Sequence, residues 1–234
     1  MIKTSIFEGI LFRLGSLEIT GSIVVTWMLI LLLALASWIS TKRMKQSPGG
    51  YQVVIESIVT VIENAIESVL PGKVTLIFPF IATLWIFILV ANLIGLIPGL
   101  SSPTSDLSVT ASLACLVFLS VHWFGIKAQG WKAYLKHYAQ PSPILLPFHL
   151  ISEVSRTLAL AVRLFGNVMS LQIAAILVLM VAGFLVPVPI LMLHIVEAVI
   201  QAYLFGMLAL IYIAGGIQSQ ELRSRKEEKK EGRT

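Results

Sequence analysis

One arginine, Arg163, lies inside a long apolar run, in the stretch LALAVRLFGNVMS. A charge at the centre of a lipid bilayer costs between about 3 and 17 kcal/mol, depending on how the cost is measured. Arginine stays protonated even where it is poorly solvated, so this guanidinium would be a permanent positive charge. A charge kept at such a cost indicates a function, and the residues that share its depth indicate which one.

The next apolar run carries three polar residues on one helical face. His194, Glu197 and Gln201 are spaced by three and four residues, which brings their side chains to the same side of a helix. At a rise of about 1.5 Å per residue, Gln201 falls near the depth of Arg163, and His194 lies farther out together with Gln172. Polar groups in lipid need partners or water, so we expect this face to point at protein or at a wet path.

A second polar group lies on the inner side of Arg163. Glu153 and Arg156 precede it on the same helix, and Arg156 shares its face because the two arginines are seven residues apart. Ordinary structural roles remain open for each group. Glu153 and Arg156 could form an ion pair at the membrane rim, His194 could be an interhelical hydrogen bonder, and Arg163 could pair with Glu197. Taken together, two polar clusters separated by a fixed positive charge predict two wet half-paths.

The composition places these residues in a membrane. Of 234 residues 57% are hydrophobic and 12% are charged, and the mean hydropathy is +0.90. A water-soluble domain of this length needs more polar surface to cover its core. The net charge of +5 does not indicate nucleic acid, because the basic residues cluster beside apolar segments. The single cysteine, Cys115, cannot form an internal disulfide.

Predominantly apolar runs of about 20 residues or more, the first three of them without a charged residue, mark five membrane spans. They cover residues 19–41, 76–98, 107–126, 145–186 and 187–218, and the length of the last two predicts strong tilt or an extension beyond the hydrocarbon. Between the first two spans, Glu56, Glu63 and Glu67 recur on one side of an amphipathic segment, which favours an interfacial helix with a solvated acidic face over a docking face for a partner.

The resulting prediction is an all-α integral membrane protein with five transmembrane helices, the last two long and tilted, plus one amphipathic interfacial helix. Residues 1–220 form a single transmembrane domain, and residues 221–234 form a charged cytoplasmic tail. The basic segments TKRMKQ, KAQGWKAYLKHY and ELRSRKEEKKEGRT all fall on one side of five spans. By the positive-inside rule that side is the cytoplasm or an equivalent compartment, with the N-terminus outside and the C-terminus inside. We expect a cell inner (plasma) membrane, and an organellar membrane stays open as the alternative. The first apolar run has no cleavage pattern, so no cleavable signal peptide is predicted.

Several stretches resemble one known family. LALAVRLFGNVMS followed by HIVEAVIQAYLFGMLALIYIAGG is similar to the last two helices of subunit a of the F-type ATP synthase, the membrane stator of a rotary motor. The earlier stretch LVANLIGLIPGLSSPTSDLSVTASLA is similar to that family's second and third spans. The resemblance covers most of residues 80–218, and RLFGN with a glutamine about forty residues later is a specific signal. The family's five-span fold agrees with the topology given above.

The resemblance implies a function. Arg163 matches the family's essential arginine, and Gln201 its partner on the last helix. In that family the two long helices lie against a rotating ring of hairpin subunits, each with one membrane-embedded carboxylate. An ion enters by one half-channel, neutralises a ring carboxylate, and leaves by the other after rotation. The arginine favours the ionised carboxylate, which drives the ion off, and it blocks direct leakage. The driving force is about 2.3 kcal/mol per charge per 100 mV.

The resemblance also implies the partners. They are the rotor ring, the b-type subunits of the peripheral stalk, the catalytic sector of the complex and membrane lipid. Nucleic acid is not among them. The chain itself makes no covalent bond and takes no cofactor or metal, because ATP chemistry occurs elsewhere in the complex. We therefore expect an ion-translocating subunit that is not an enzyme in its own right.

One position departs from familiar members of the family. Gln172, nine residues after the arginine, stands where relatives often have an acidic residue or histidine, and an amide cannot relay by a change of net charge. We therefore expect Glu197, one turn from His194, to supply the carboxylate of the outer path. Asn92 or Asp106 is a candidate for its mouth.

The inner path is expected to use Glu153, and Asn167, one turn after Arg163, either orients the arginine or packs. The main alternative function is a solute transporter or channel whose intramembrane arginine binds an anion, but the internal repeat expected of one is not visible. A redox subunit would need histidines at matched depth, whereas His122 is inner and His194 outer. HExxH, CxxC, GxSxG and P-loop patterns do not occur. The choice between proton and sodium coupling stays open.

Overall fold

The computed structural model describes residues 10–14, 17–42, 49–97, 100, 102–130, 146–182 and 187–231. Within these residues, apart from a short N-terminal hairpin, the predicted all-α architecture is confirmed. The helices are α1 (Gly21–Lys42), α2 (Gly50–Val69), α3 (Val74–Ile94), α4 (Leu107–Gln129), α5 (Leu146–Ala182) and α6 (Pro187–Glu231), and a 3-10 turn at Pro103–Ser105 leads into α4.

A short antiparallel hairpin, β1 (Ile10–Leu14) with β2 (Leu17–Thr20), precedes α1 and was not predicted. The first span therefore begins at Gly21, two residues later than its predicted start, because residues 19 and 20 belong to β2. The alternation of apolar and polar residues that marks a strand is short here, and the long apolar run that follows dominates the local pattern.

Five helices in the described part of the chain are long and apolar enough to cross a membrane, as predicted. The segments Leu150–Val181 in α5 and Pro189–Ile217 in α6 have 32 and 29 residues, so they are about 48 and 44 Å long. Because a hydrocarbon core is about 30 Å thick, both helices must tilt or project beyond it. The backbone of α6 remains helical through the charged tail as far as Glu231.

The core lies where α3 and α4 pack against α5 and α6. Large side chains of α3 such as Ile81 and Ile88 are fully buried there, as are Leu210 and Ile213 of α6. Small residues recur on the inward face of α6, at Ala202, Gly206, Ala209 and Ala214. Small residues let helix backbones approach closely in a membrane, where dispersion contacts replace the hydrophobic effect as the main attraction between helices.

One contact in this core depends on a missing side chain. The indole of Trp85 on α3 lies directly on Gly206 of α6, and a Cβ at this glycine would overlap the Nε1 and Cδ1 atoms of the indole. Tyr203, one turn earlier on α6, places its ring 5.7 Å from that of Trp85. Glycine is therefore required at position 206 so that α3 and α6 can keep this separation.

The two peripheral helices have the faces expected from their sequences. α1 buries only Gly21, Val25 and Leu29, so most of its apolar surface faces outward, as in a lipid-exposed span. α2 packs against α3 and buries Ile62 and Ile66. The three carboxylates of α2 are exposed, which matches the predicted solvated acidic face; they are Glu56, Glu63 and Glu67.

Candidate functional site

Arg163 lies on the outside of the helix bundle. On α5, Leu160 and Leu164 are buried against the neighbouring helices, whereas the Arg163 side chain is exposed. It forms no hydrogen bond or ion pair with any other residue that the structure describes, so the alternative pairing with Glu197 is not present there. Arg156 is exposed as well, in agreement with the prediction that the two arginines share a face.

A hydrogen bond joins the two long helices one turn from the arginine. Asn167 Nδ2 on α5 donates to Gln201 Oε1 on α6 over 2.8 Å. Gln201 is only 2% exposed, and its Nε2 has no partner among the described residues. Two roles were predicted for Asn167, packing or orienting the arginine. In the structure its amide instead holds the side chain of Gln201 on the facing helix.

His194, Glu197 and Gln201 line one cavity, which confirms that they share a face of α6. The cavity has a volume of about 10 Å³, at the lower limit for holding one water molecule. Its remaining lining residues come from three helices; they are Asn92, Val168, Leu171 and Ala198. Of the outer polar cluster predicted from depth, His194 and Glu197 therefore lie together at this cavity, whereas Gln172 is not among its lining residues.

Asn92 lies inside this cluster. It is fully buried, and its backbone oxygen is 3.2 Å from His194 Nε2. Its side chain contacts the hydroxyl of Thr104 at 2.6 Å, and that hydroxyl is 2.6 Å from the hydroxyl of Ser102. Ser102 in turn donates to the backbone oxygen of Ala91. The sequence had singled out neither Ser102 nor Thr104, although both are buried polar residues of the connection between two spans.

Gln172 and Asp106 lie at the outer end as well. A Cβ on Gly95 would be 3.3 Å from Gln172 Nε2, so this side chain lies against the C-terminal end of α3. The Asp106 carboxylate caps the N-terminus of α4, where it accepts from the backbone amide of Ser108 at 2.9 Å and from its hydroxyl at 2.8 Å. An aspartate two residues before a serine at the start of an apolar run is a cap signal that the sequence offered.

The inner polar cluster brings together residues from three helices. Glu153 Oε2 on α5 is 3.7 Å from His122 Nε2 on α4. The Arg156 guanidinium lies over the ring of Tyr212 on α6, 4.8 Å from its centroid. Neither the contact of His122 with Glu153 nor that of Tyr212 with Arg156 was predicted; His122 entered only as a possible ligand in a redox subunit. A histidine near the end of a span was the available signal, but nothing in the sequence says which helix it faces.

The family model described as ATP synthase A chain matches residues 23–214. The chain belongs to the ATP synthase subunit a family. Among its relatives, ATP synthase subunit a of Legionella pneumophila strain Paris is 64% identical over 217 residues, which is 92% of this chain and 94% of the relative. ATP synthase subunit a 2 of Pelobacter propionicus is 58% identical over 219 residues, which is 93% of this chain and 96% of the relative.

Membership of the ATP synthase subunit a family confirms the resemblance given by RLFGN and the later glutamine. Together with the five apolar helices of the described chain, it makes this protein a multi-pass membrane protein. The comparisons support the ion-translocating function and do not favour the anion transporter. A more distant relative, ATP synthase subunit a 1 of Chlorobaculum parvum, is still 43% identical over 216 residues, which is 92% of this chain and 96% of the relative.

Proposed function

We propose that this chain is the ion-conducting stator of an ATP synthase. It forms two half-channels against a ring of hairpin subunits and couples ion flow through them to rotation of the ring. Each ring subunit carries one carboxylate within the membrane. The complex includes b-type peripheral-stalk subunits and the catalytic sector, which carries out the ATP chemistry, while this chain itself forms no covalent intermediate.

The observation that carries this proposal is the position of Arg163. The guanidinium is exposed on the outside of the bundle and lacks a partner among the described residues. A permanent charge in that position calls for an anionic neighbour on another chain, because lipid offers none at this depth. A passing carboxylate would be held in its ionised form while opposite the arginine and would release its ion there.

The outer half-channel is assigned to the cavity on α6 and the residues that lead to it. His194 and Glu197 are its titratable groups, and Gln201 stands at its inner end beside Asn167. Gln172 lies half-buried on the same side and supplies an amide that can hold water. Asn92 contributes from α3, inside the cluster rather than at an open mouth.

The inner half-channel is assigned to the region around Glu153. This carboxylate lies ten residues before Arg163 on α5, about 15 Å along the helix. The polar groups of the outer and inner half-channels are thus on opposite sides of the arginine. A fixed positive charge between them prevents cations from crossing directly, so an ion must travel with the ring.

The orientation follows from the basic segments. Lysine and arginine cluster after α1, after α4 and at the C-terminus, and the positive-inside rule makes that side cytoplasmic, with the N-terminus outside. Glu153 then serves the cytoplasmic side of the plasma membrane, and His194 the outer side. Each unit charge that crosses 100 mV contributes about 2.3 kcal/mol to rotation.

The test is ion flux in membrane vesicles that contain the whole complex. Arg163→Ala is compared with the wild type in ATP-driven pumping and in passive flux through the membrane sector. We expect pumping to vanish, because a ring carboxylate no longer meets a cation, and passive flux to persist or rise. Val162→Ala, a neighbouring exposed apolar position on α5, is the control and should leave both fluxes unchanged.

Survival of pumping in Arg163→Ala would reduce the arginine to a structural charge and refute the stator function as assigned here. Repeating the wild-type measurement with sodium or with protons as the available cation identifies the coupling ion. Loss of pumping in the Val162→Ala control would show instead that the surface of α5 tolerates no change, and that the arginine result says nothing about charge.

A further inference from the structure

The hydrogen bonds of His122 fix which of its nitrogens carries a proton. Nδ1 is 2.8 Å from the backbone oxygen of Phe118, one turn earlier on α4. A carbonyl oxygen can only accept, so Nδ1 is the N–H of this ring. The Phe118 ring also lies against the imidazole, with centroids 4.5 Å apart, which restricts its rotation. In the neutral imidazole, therefore, the lone pair is on Nε2.

That lone pair faces a carboxylate. Nε2 is 3.7 Å from Glu153 Oε2, longer than a hydrogen bond but within the range of an ion pair. Across this contact, a neutral ring and an ionised carboxylate would present two acceptors to each other. One added proton converts this contact into an attraction, either as an imidazolium beside a carboxylate or as a protonated carboxyl beside a neutral ring. Groups this close exchange protons as a unit.

We propose that His122 and Glu153 form a proton-exchange pair at the inner end of the helix bundle, through which protons pass between the inner half-channel and water. This inference rests on the proposed function and adds to it a second titratable group, on α4, from which none of the lining residues of the cavity comes. It also names the coupling ion, because a pair that works by gaining and losing one proton serves proton transfer and offers no advantage to sodium.

The pair is placed where such exchange is needed. His122 is five residues before Lys127 at the end of its span, so it lies about 7.5 Å inside that end. Its side chain is 27% exposed and that of Glu153 is 18% exposed. Both groups are therefore partly enclosed by protein while keeping contact with the outside, as a group that exchanges protons with water requires.

Other charged or titratable side chains lie toward the same end of the bundle as the pair. Described charged or titratable side chains toward this inner end include Lys127 on α4, Arg156 on α5, Tyr212 on α6 and Lys73 at the start of α3. The guanidinium of Arg156 lies over Tyr212, and Lys127 is exposed. Arginine and lysine keep their protons at neutral pH, so neither cation is itself a proton-exchanging group.

Over one cycle the pair gains one proton and releases one proton. A hydronium ion on the inner side gives a proton to Nε2 of His122 and becomes water, which yields an imidazolium beside the Glu153 carboxylate. The N–H bond at Nε2 then breaks as an O–H bond forms on Oε2, which leaves a neutral ring and a neutral carboxyl. The carboxyl passes the proton into the half-channel and returns to its ionised form. Operation in the reverse direction uses the same steps in the opposite order.

The experiment measures passive proton flow through the complex in vesicles after removal of the catalytic sector, with the pH varied only on the side facing the inner end. We expect the wild-type flow to change with the pH on that side. His122→Gln should remove that dependence and lower the flow by about tenfold or more, because a positioned proton-transfer group is lost. Glu153→Gln should do the same. Ser120→Ala, on the same helix and bonded only within it, is the control.

The double variant separates a pair from two independent groups. If His122 and Glu153 act as a unit, replacing both should cost no more than replacing one. If the fold losses of the two single variants multiply in the double variant, the two groups act independently and the proposed pair is refuted. A measurement on the wild type avoids any dependence on how the variants fold: the ¹⁵N spectrum of the assembled complex at high pH should show Nδ1 of His122 protonated and Nε2 bare. Protonation at Nε2 instead would overturn the assignment.

Failure of the pair can be told apart from failure of the stator function. If Arg163→Ala abolishes pumping while His122→Gln keeps the wild-type pH profile, the proposed stator function is supported and the proposed proton-exchange pair is refuted. If the wild type conducts sodium and not protons, the stator function is again supported and the proton-exchange pair is refuted. If pumping survives Arg163→Ala, the proposed function fails, whatever His122→Gln does.

Discussion

The close contact between Trp85 and Gly206 makes Gly206→Ala the sharpest structural test of the fold. A methyl group at this position would overlap two atoms of the indole. Carbon atoms in contact are about 3.5 to 4.0 Å apart, so the ring or the α6 backbone must move by roughly 2 Å. Overpacking a core typically costs about 1 to 3 kcal/mol, which lowers the ratio of folded to unfolded chain by about 5- to 150-fold.

The assay is the unfolding of the solubilised complex in a series of SDS concentrations, with the fraction of intact chain measured for each variant. Gly215→Ala is a matched control on the same helix, because a Cβ there meets nothing within 4 Å. It should be neutral or stabilising, since alanine is favoured over glycine in a helix by about 1 kcal/mol. Combining Gly206→Ala with Trp85→Leu should recover part of the loss. Equal stability of Gly206→Ala and Gly215→Ala would refute the packing described here.

Two further predictions concern the polar site. Asn167→Leu leaves the buried amide of Gln201 without its donor, at a cost of about 1 to 3 kcal/mol, and should lower ATP-driven pumping while the chain still assembles; unchanged pumping per complex would contradict this. Asp106→Ala should lower the stability of the chain by about 0.5 to 2 kcal/mol through loss of the α4 cap, measured by SDS unfolding, whereas Asp106→Asn keeps an acceptor for Ser108 and should retain stability. If Asp106→Asn is stable but conducts poorly, the charge at this position matters more than the cap.

The sequence predicted depth and helical faces well because both follow from regular geometry. A rise of about 1.5 Å per residue placed Gln201 at the level of the arginine, and in the structure it bonds to Asn167 one turn away. Spacing of three and four residues brought His194 and Glu197 to one face, and both line the same cavity. These inferences need only one helix at a time and no knowledge of its neighbours.

Contacts between helices could not be predicted from the sequence. The 3.7 Å contact of His122 with Glu153 joins α4 to α5, and the bond from His194 to α3 ends on a backbone oxygen of Asn92, which no side-chain pattern marks. Depth alone allows several partners within one turn, and only the rotation of each helix selects among them. The N-terminal hairpin was missed for another reason, because its strands are four and five residues long and the periodic signal is correspondingly weak.

The exposed guanidinium of Arg163 also bears on how such a chain survives before assembly. A single copy in the bilayer carries this charge on its outer surface, where hydrocarbon imposes a cost of about 3 to 17 kcal/mol unless water or headgroups reach it. In the proposed complex, docking beside a ring carboxylate relieves that cost, so the side chain proposed to act in ion translocation also favours assembly. An orphan copy would then be the less stable species until it meets that carboxylate.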